Sequence, residues 1–421
     1  MNPRTRRIAA VAATVLALSG MVTASPAHAK PGKCPTLNVS EGWYGDNRAR
    51  LQRLIDTHCQ DSGGKGADRP VAVFDWDNTV IKNDVGDATM FWLLRNNRIR
   101  LPENDDWTTT SRHLTPDAAA ALRAACPTGV PTLPTATDTR CADEILSVYA
   151  DGATTTGREA FAGFDHRRME PGYAWLAQLL RGWTTRQIAS FAEAARTENL
   201  AAPIGTEQPV GIRKVTGWVR YYDQQRDLVR TLQKAGFDVW IVSASPEPVV
   251  DVWARGVGVK PSHALGIRNT TEHGRLTARL KGCGSVPDGE DSMITYIDGK
   301  RCWINQEIFG VRGPAAERIQ PASRRQVFAA GDSDTDVSFL RDATGLRLVL
   351  NRNKNEVMCR AYDNSDGRWL VNPMFIEPKK RKPTPYPCAT TAYTAADGTA
   401  QPVRRSDGTV VPDQWDSVSG P

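Results

Sequence analysis

The chain has 421 residues, 40% of them hydrophobic and 24% charged, as in an ordinary globular protein with about two or three domains or one large domain with an insertion. Its formal net charge of +6 falls to about +3 when the three arginines of the first 29 residues are set aside. A charge this small, without Lys and Arg clustered among aromatic residues, argues against nucleic acid as a partner.

The first 29 residues are predicted to be a secretory signal peptide. Arg4, Arg6 and Arg7 form a basic start, an apolar run extends over residues 8–22, and residues 27–29 have the small side chains of a cleavage site. We therefore expect a secreted or extracytoplasmic protein, with Sec and twin-arginine export both open. No later stretch of the sequence is long and apolar enough for stable membrane insertion.

All eight cysteines follow this segment, and an even number of cysteines in an exported protein indicates disulfides. Eight cysteines allow about a hundred pairings, which the sequence does not distinguish. We expect sequential pairing, because it joins the chain extremities and the insertions locally. The expected pairs are Cys34 with Cys59, Cys126 with Cys141, Cys283 with Cys302, and Cys359 with Cys388. No CxxC motif occurs, which disfavours a cysteine zinc site.

Helical and strand patterns alternate along the chain, which predicts a parallel α/β sheet. The predicted elements are a helix over 47–55, a buried strand over 71–74, a helix over 215–234, and further strands over 237–242, 324–330 and 346–350. Residues 263–267, 269–274 and 276–280 resemble a separate unit of a strand, a turn and a strand. Between the first strand and this alternation lies a mostly helical insertion. Its residues 103–156 are rich in Pro and Thr and are predicted to be loop-rich.

Three of the predicted strands end in side chains that can act in catalysis or metal binding. Asp75 and Asp77 follow the first strand, Ser243 the second, and Asp332 and Asp336 the third. Because the ligand crevice of an open α/β sheet lies outside the carboxyl ends of its strands, we expect these side chains to meet. Each cluster alone could be a turn or a helix cap. The ordered occurrence of all three is hard to obtain by chance.

This order of motifs resembles the haloacid dehalogenase superfamily of phosphoryl-transfer enzymes. Residues 75–79, Asp-Trp-Asp-Asn-Thr, match its DxDxT motif, Ser243 matches its second motif, and residues 331–336 match the GDxxxD form of its fourth. Lys300 is preferred to Lys281 as the lysine of the third motif, because Lys300 lies at a predicted helix start. The resemblance implies an α/β fold with a three-layer, Rossmann-like parallel sheet core and a mostly helical cap inserted after the first strand, as in the phosphoserine-phosphatase-like branch.

The resemblance also divides the chain. The expected parts are a signal peptide over 1–29, an N-terminal helical segment over 30–68, the core over 69–84 and 209–375, the cap over 85–208, and an extended C-terminal tail over 376–421. In the core, the side chains of Asp75 and Asp332 and the main-chain carbonyl of Asp77 are the implied ligands of Mg²⁺. Oxygen ligands of this kind suit a hard cation.

The catalytic residues implied by the resemblance are those of a phosphomonoesterase. Asp75 would form an aspartyl-phosphate, and Asp77 would protonate the leaving alcohol and then deprotonate water. Ser243 and Lys300 would contact phosphoryl oxygens, and Asp336 would hold Lys300 or a metal-bound water. The alternatives are a phosphomutase or phosphotransferase of the same superfamily, or a catalytically inactive exported binding module.

The expected substrate is a small phosphate ester recognised by the insertion. Trp92 and Trp175 are candidates to stack on a substrate cation such as choline, and the exported setting resembles phosphorylcholine phosphatases. The alternative for both tryptophans is packing inside the cap. The sequence leaves the oligomeric state open.

Overall fold

A parallel β-sheet of six strands with helices on both faces forms the centre of the protein. The computed structural model describes residues 34–59 and 69–420, so the predicted signal peptide lies outside the described residues. The helices are α1 (Asn47–His58), α2 (Val85–Arg95), α3 (Pro116–Ala125), α4 (Thr139–Asp151), α5 (Pro171–Leu179), α6 (Thr185–Ala201), α7 (Asp223–Lys234), α8 (Glu247–Ala254), α9 (Asp298–Glu307), α10 (Val337–Asp342) and α11 (Asn355–Asp363). The strands are β1 (Val71–Phe74), β2 (Ile81–Lys82), β3 (Glu207–Val210), β4 (Arg213–Thr216), β5 (Arg220–Tyr221), β6 (Asp238–Pro246), β7 (Ala264–Ile267), β8 (Asn269–Glu272), β9 (Arg275–Leu280), β10 (Phe328–Gly331), β11 (Leu346–Asn351), β12 (Trp369–Pro373), β13 (Tyr393–Thr394) and β14 (Ala400–Gln401).

The strand order of the main sheet is β12-β11-β10-β1-β6-β7, with every pair parallel. Strand β1 is central, and the chain continues to β6 on one side and β10 on the other, which makes the carboxyl end of β1 a switch point. Side chains of β1 alternate between two cores: Ala72 and Phe74 pack on one face, Val71 and Val73 on the other. This confirms the predicted three-layer, Rossmann-like α/β fold.

A two-stranded neck connects the sheet to the inserted cap. Strand β2 pairs with β5 in antiparallel register, so the start and the end of the insertion lie side by side. Helices α2–α6 and the β3–β4 hairpin lie between them. The cap is therefore mostly helical, follows the first strand, and is attached close to the carboxyl end of β1.

The structure adds helices to one predicted segment and shortens one predicted helix. Residues 103–156, which are predicted to be loop-rich, also contain α3 and α4. Pro116 is accepted because it occupies the first turn of α3, where no intrahelical hydrogen bond is lost, and the Thr115 side chain caps the helix. The helix predicted over 215–234 begins only at Asp223, since the preceding residues form β4 and β5.

Four disulfides join the described cysteines in the sequential pairs expected from the sequence. The bond between Cys283 and Cys302 anchors α9, and the bond between Cys359 and Cys388 joins α11 to the C-terminal residues. Those residues, 376–420, contain only β13 and β14 as strands, yet Tyr386 and other side chains in them are buried in the core. Every described helix is too short or too polar to span a bilayer.

Candidate active site

The turn after β1 directs Asp75 and Asp77 toward the carboxyl edge of the sheet. The backbone N–H of Asp75 still donates to the carbonyl of Ala330 in β10 (2.9 Å). Asn78 then takes a left-handed conformation with φ 62°, which asparagine tolerates better than most residues. The reversal brings the Thr79 hydroxyl within 2.8 Å of Asp75 Oδ2, to which it donates. The Asp-x-Asp-Asn-Thr sequence thus builds the turn as well as supplying its carboxylates.

Lys300 lies between two carboxylates in the interior of the protein. Its Nζ is 2.6 Å from Asp75 Oδ1 and 2.7 Å from Asp336 Oδ1, and the side chain is fully buried. Burial by itself lowers the pKa of Lys300, but the charges of Asp336 and Asp75 outweigh it and the pKa is raised. Lys281, the rival candidate, lies on the surface and pairs with Asp288. The structure therefore brings Lys300, and not Lys281, to Asp75.

A strained residue precedes α9, the helix that carries Lys300. Ile297, which precedes the helix, has φ 41° and ψ −103°, a conformation that β-branched residues rarely adopt. Its N–H donates to the carbonyl of Thr335 (3.0 Å). This bond ties the start of α9 to the loop after β10, so the two loops that position Lys300 and Asp336 are joined directly.

The loop after β10 folds back on the side chain of Asp336. Asp336 Oδ2 accepts from the backbone N–H groups of Asp332 (3.0 Å) and Ser333 (3.2 Å). This close return requires glycine at position 331, because a Cβ there would lie 2.7 Å from the Asp336 Cβ. The neighbouring Asp332 accepts from Arg352 Nη1 at 2.6 Å. Asp336 is therefore a structural centre of the loop, whereas Asp332 faces the cavity.

Asp77 lies in a different electrostatic setting from Asp75. Its Oδ1 accepts from the N–H of Val85 (2.8 Å), and its Oδ2 accepts from the hydroxyls of Ser243 (3.2 Å) and Ser245 (3.0 Å). No cation lies within 4.0 Å of it among the described residues. Burial, followed by the charge of Asp84, raises the pKa of Asp77 well above its usual range.

The pKa of Asp75 rises less, to about 6, because Lys300 opposes the effect of burial. A carboxylate with a cation partner therefore lies next to a carboxyl group that favours its protonated form. Such pairs of acids in unlike environments are found where one acts as a nucleophile and the other as an acid.

The aspartates at this edge of the sheet suit a divalent cation. Carboxylate oxygens of Asp75, Asp332 and Asp336 lie within 4.8 Å of one another. Both oxygens of Asp336 are already held by Lys300 and by backbone N–H groups. Asp75 and Asp332, by contrast, face each other across the single hydroxyl of Thr79, which is 2.8 Å from one and 3.2 Å from the other. The carboxylates of Asp75, Asp332 and Asp336 carry one negative charge more than Lys300 and Arg352 offset, and a hard cation such as Mg²⁺ would balance it.

Two adjoining cavities lie at this edge of the sheet. The smaller, about 40 Å³, is lined by Asp75, Asp77 and Asp332 and has room for roughly three water molecules, which is comparable to a phosphoryl group. The larger, about 280 Å³, extends beneath the cap. The two share Asp84 and Tyr173 as part of their common wall. A ligand with a phosphoryl group and a small organic part would fit the two cavities together.

Neither tryptophan predicted to bind substrate lines these cavities. Trp175 is fully buried, and its Nε1 donates to the hydroxyl of Thr110 (2.9 Å). Trp92 stacks on Phe191, with 5.6 Å between ring centroids. Both pack within the cap, which was the alternative, and the substrate-binding role predicted for them is not supported. The smaller cavity is instead lined by two tyrosines, Tyr149 and Tyr173.

Several residues at the site were not predicted. Ser245 could have been found, because residues two apart in a strand share a face, and β6 continues beyond Ser243 to Pro246. Arg352 directly follows β11, so the rule applied to the other strand ends would have included it. Tyr149 and Tyr173 belong to separate cap helices, and nothing in their local sequence distinguishes them from core residues.

Known proteins resemble the chain over part of its length. A probable phosphatase of Mycobacterium tuberculosis is 26% identical over 190 residues, which are 45% of this chain and 52% of that protein. A phosphorylcholine phosphatase of Pseudomonas aeruginosa is 24% identical over 197 residues, 43% of this chain and 55% of that protein. The chain thus spans about half the length of the curated relatives it matches.

The fold and the family are both found among known proteins. A protein of unknown function from Anaerococcus prevotii shares the fold, with a TM-score of 0.58, 20% identity, and coverage of 79% of this chain and 92% of that one. The profile of the haloacid dehalogenase-like hydrolases matches residues 72–341, which is more than half of the chain and extends from β1 through α10. The chain therefore belongs to the haloacid dehalogenase-like hydrolase family.

Proposed function

We propose that the chain is an exported, Mg²⁺-dependent phosphomonoesterase that hydrolyses a small phosphate ester through an aspartyl-phosphate at Asp75. The observation that carries this proposal is the meeting of Asp75, Asp77 and Asp332 at one small cavity, with Lys300 paired to Asp75. Two of the relatives bear phosphatase names. The four disulfides support an oxidising, extracytoplasmic location.

The first half of the proposed reaction transfers the phosphoryl group to the protein. Asp75 attacks phosphorus, the bond from phosphorus to the ester oxygen breaks, and Asp77 gives its proton to that oxygen. Lys300 stabilises the negative charge that develops on the phosphoryl oxygens, and Asp336 positions Lys300. Mg²⁺, held by Asp75, Asp332 and the carbonyl of Asp77, would offset the negative charge of the phosphate dianion.

The second half returns the protein to its starting state. Asp77, now ionised, takes a proton from water, and the oxygen of that water bonds to phosphorus as the bond to Asp75 breaks. Inorganic phosphate leaves, and Asp77 again holds a proton. The hydroxyls of Ser243 and Ser245 both reach Asp77 Oδ2, so they hold this carboxyl group in place. Ser245 also lines the cavity and can donate to a phosphoryl oxygen.

The acidic part of the wall next to this cavity would suit a positively charged organic part, as in phosphocholine, although Lys82, Arg352 and Lys379 also line the larger cavity. Asp84 lines both cavities and Asp87 lines the larger, and burial raises the pKa of both, that of Asp84 to about 7. The Tyr149 hydroxyl donates to Asp87 Oδ1 (2.7 Å), and the Tyr173 ring lies beside them. A substrate cation here would favour ionised carboxylates and would contact aromatic faces.

The test of the activity is release of nitrophenol from p-nitrophenyl phosphate with Mg²⁺ and with EDTA. We expect turnover only with the metal, and none from the Asp75→Asn variant, while Asp117→Asn, on the exposed face of α3, serves as a control with unchanged turnover. Retained turnover in Asp75→Asn would exclude the covalent mechanism. An inactive wild-type chain would favour the binding module. Dependence on a sugar bisphosphate, with little phosphate released, would favour the phosphomutase.

The test of the substrate class is a comparison of phosphocholine, phosphoethanolamine and glycerol phosphate. We expect kcat/KM to be highest for the cationic esters. The Asp84→Asn variant should lose this preference while it retains turnover of glycerol phosphate, whose organic part is neutral. The substitution removes the carboxylate and keeps the shape of the side chain. Equal kcat/KM for all three esters in the wild-type chain would remove the case for a cation site.

A further inference from the structure

A separate cavity lies at the amino end of the sheet, opposite the edge that carries Asp75. It has a volume of about 260 Å³. Its wall includes Arg347 at the start of β11, Trp369 at the start of β12 and Arg341 near the end of α10. Because the strands are parallel, this position places it at the far edge of the sheet from the phosphoryl cavity. It belongs to neither the proposed reaction nor its substrate site.

The lining of this cavity, which we call the arginine cavity, is strongly basic. Five arginines line it against two aspartates, and no glutamate or lysine contributes to the wall. The five are Arg325, Arg341, Arg347, Arg360 and Arg405. The apolar part of the wall includes Trp369 and Val411, both largely buried. A wall of this composition is complementary to an anion with a small apolar part.

Three of the five arginines are neutralised within the protein. Arg347 pairs with Asp366, Arg405 with Asp363, and Arg360 with the buried Glu356. These pairs also fix the guanidinium groups in place, since each arginine makes at least one further hydrogen bond to the backbone or the same carboxylate. The cavity thus has a rigid frame whose own charges are largely satisfied.

The other two arginines, Arg325 and Arg341, lack such partners. In the described part of the chain, neither lies within 4.0 Å of a carboxylate, and Arg325 Nε is buried without a hydrogen-bond acceptor. Burial and the nearby charges of Arg360 and Arg301 lower the pKa of Arg341 to about 10. Arg341 therefore stays charged at neutral pH, but in surroundings that disfavour its charge. A bound anion would relieve this repulsion and supply the missing acceptors.

We propose that the arginine cavity binds a small oxyanion with two or more negative charges, carried by phosphate or carboxylate groups. The planar guanidinium group offers parallel N–H donors that match both kinds of group. Two unpaired guanidinium groups require at least two negative charges for balance. The proposal is independent of the chemistry at Asp75.

The experiment is isothermal titration calorimetry of the full chain with two probes, pyrophosphate and citrate, in a metal-free buffer without a chelator. We expect at least one probe to bind, and expect Arg325→Gln and Arg341→Gln each to weaken its binding about tenfold, the loss of roughly one charge-assisted hydrogen bond. Arg324→Gln is the matched control, because Arg324 is exposed beside Arg325 and does not line the cavity. Thermal melting checks that each variant is folded. Arg341→Lys retains the charge, so it checks that the weaker binding follows from the loss of charge.

Tighter binding of pyrophosphate than of citrate would assign a phosphate-bearing ligand, and the reverse would assign a polycarboxylate. Binding of neither probe at millimolar concentration would overturn the proposal. Equal affinities of the wild-type chain and the folded Arg325→Gln/Arg341→Gln double variant would also overturn it, because the probe would then be bound elsewhere.

Discussion

Replacing Lys300 by methionine tests the electrostatic centre of the site. The substitution keeps most of the side-chain volume but removes an ammonium group that lies 2.6 Å from Asp75 and 2.7 Å from Asp336. All three side chains are buried, so two carboxylates would be left in the interior without their cation. Breaking a buried ion pair by removing one partner costs about 3–5 kcal/mol of unfolding free energy. We expect a loss of that size at pH 8 in EDTA.

The expected loss depends on pH. Without Lys300 the pKa values of Asp75 and Asp336 rise further above those of the unfolded chain, so the folded variant holds more protons than the unfolded one. Its stability therefore falls as the pH rises through these values, and the loss relative to the wild-type chain should be smaller at pH 5 than at pH 8. Urea denaturation followed by tryptophan fluorescence measures both values.

The matched control is Lys281→Met, which removes an exposed lysine paired with Asp288. Surface pairs contribute about 0–1 kcal/mol, so this variant should stay close to the wild-type chain in stability. Turnover of p-nitrophenyl phosphate should fall by about 10²- to 10³-fold or more in Lys300→Met and remain unchanged in Lys281→Met. If Lys300→Met lost no more stability than Lys281→Met, the buried network would not be held by Lys300 and the reasoning would be refuted.

Three further predictions concern the loop after β10, the proposed acid and a carboxyl group outside the site. Gly331→Ala should lower the unfolding free energy by about 1–3 kcal/mol and reduce turnover, because the new Cβ would displace Asp336; unchanged stability and turnover would contradict this contact. Asp77→Asn should give a stoichiometric burst of nitrophenol followed by slow turnover, since nitrophenolate leaves without a proton but the attacking water needs a base. Rapid-quench measurement of phosphate bound to the protein checks this, and steady wild-type turnover would exclude the role. Burial, with the charge of Glu247, raises the pKa of Asp251 to about 7, so the contribution of this carboxyl group to the unfolding free energy should fall as the pH rises from about 4 to 7, because the folded chain holds the extra proton in that range. Asp251→Asn removes this pH-dependent contribution, so its gain in urea midpoint over the wild-type chain should be larger at pH 8 than at pH 5, and an equal gain at both would show that Asp251 is not the group.

The strands that form the site were predictable because their signals are local. Strand β1 coincides with its predicted range, and β11 is one residue longer than its own predicted range. The edge strand β12 was not predicted, and β7 was expected in a separate strand–turn–strand unit although it joins the main sheet beside β6. Its four residues are all buried, so no alternation of polar and apolar residues marks their position in the sheet.

The residues predicted for catalysis and metal binding lie together at one edge of the sheet. Trp92 and Trp175, which were predicted to bind substrate, do not line the cavities there. Lys300 was separable from Lys281 by its position at a helix start, since the start of a helix has a local signature. The sequence could not show whether Trp175 packs in the core or binds substrate, because a large aromatic side chain serves equally well in either place. Only the packing of α5 against the rest of the cap determines that its ring is covered.

The sequence by itself determined the parallel sheet, the order of its motifs and the disulfide-bearing character of the chain, because apolar runs, turn residues and cysteine content are properties of short segments. The tertiary structure alone decided which distant side chains share a wall. Tyr149 with Asp87 at one edge of the sheet, and Arg325 with Arg341 at the other, become neighbours only when separate elements pack. Such contacts join residues far apart along the chain, and no periodic pattern in the sequence records them.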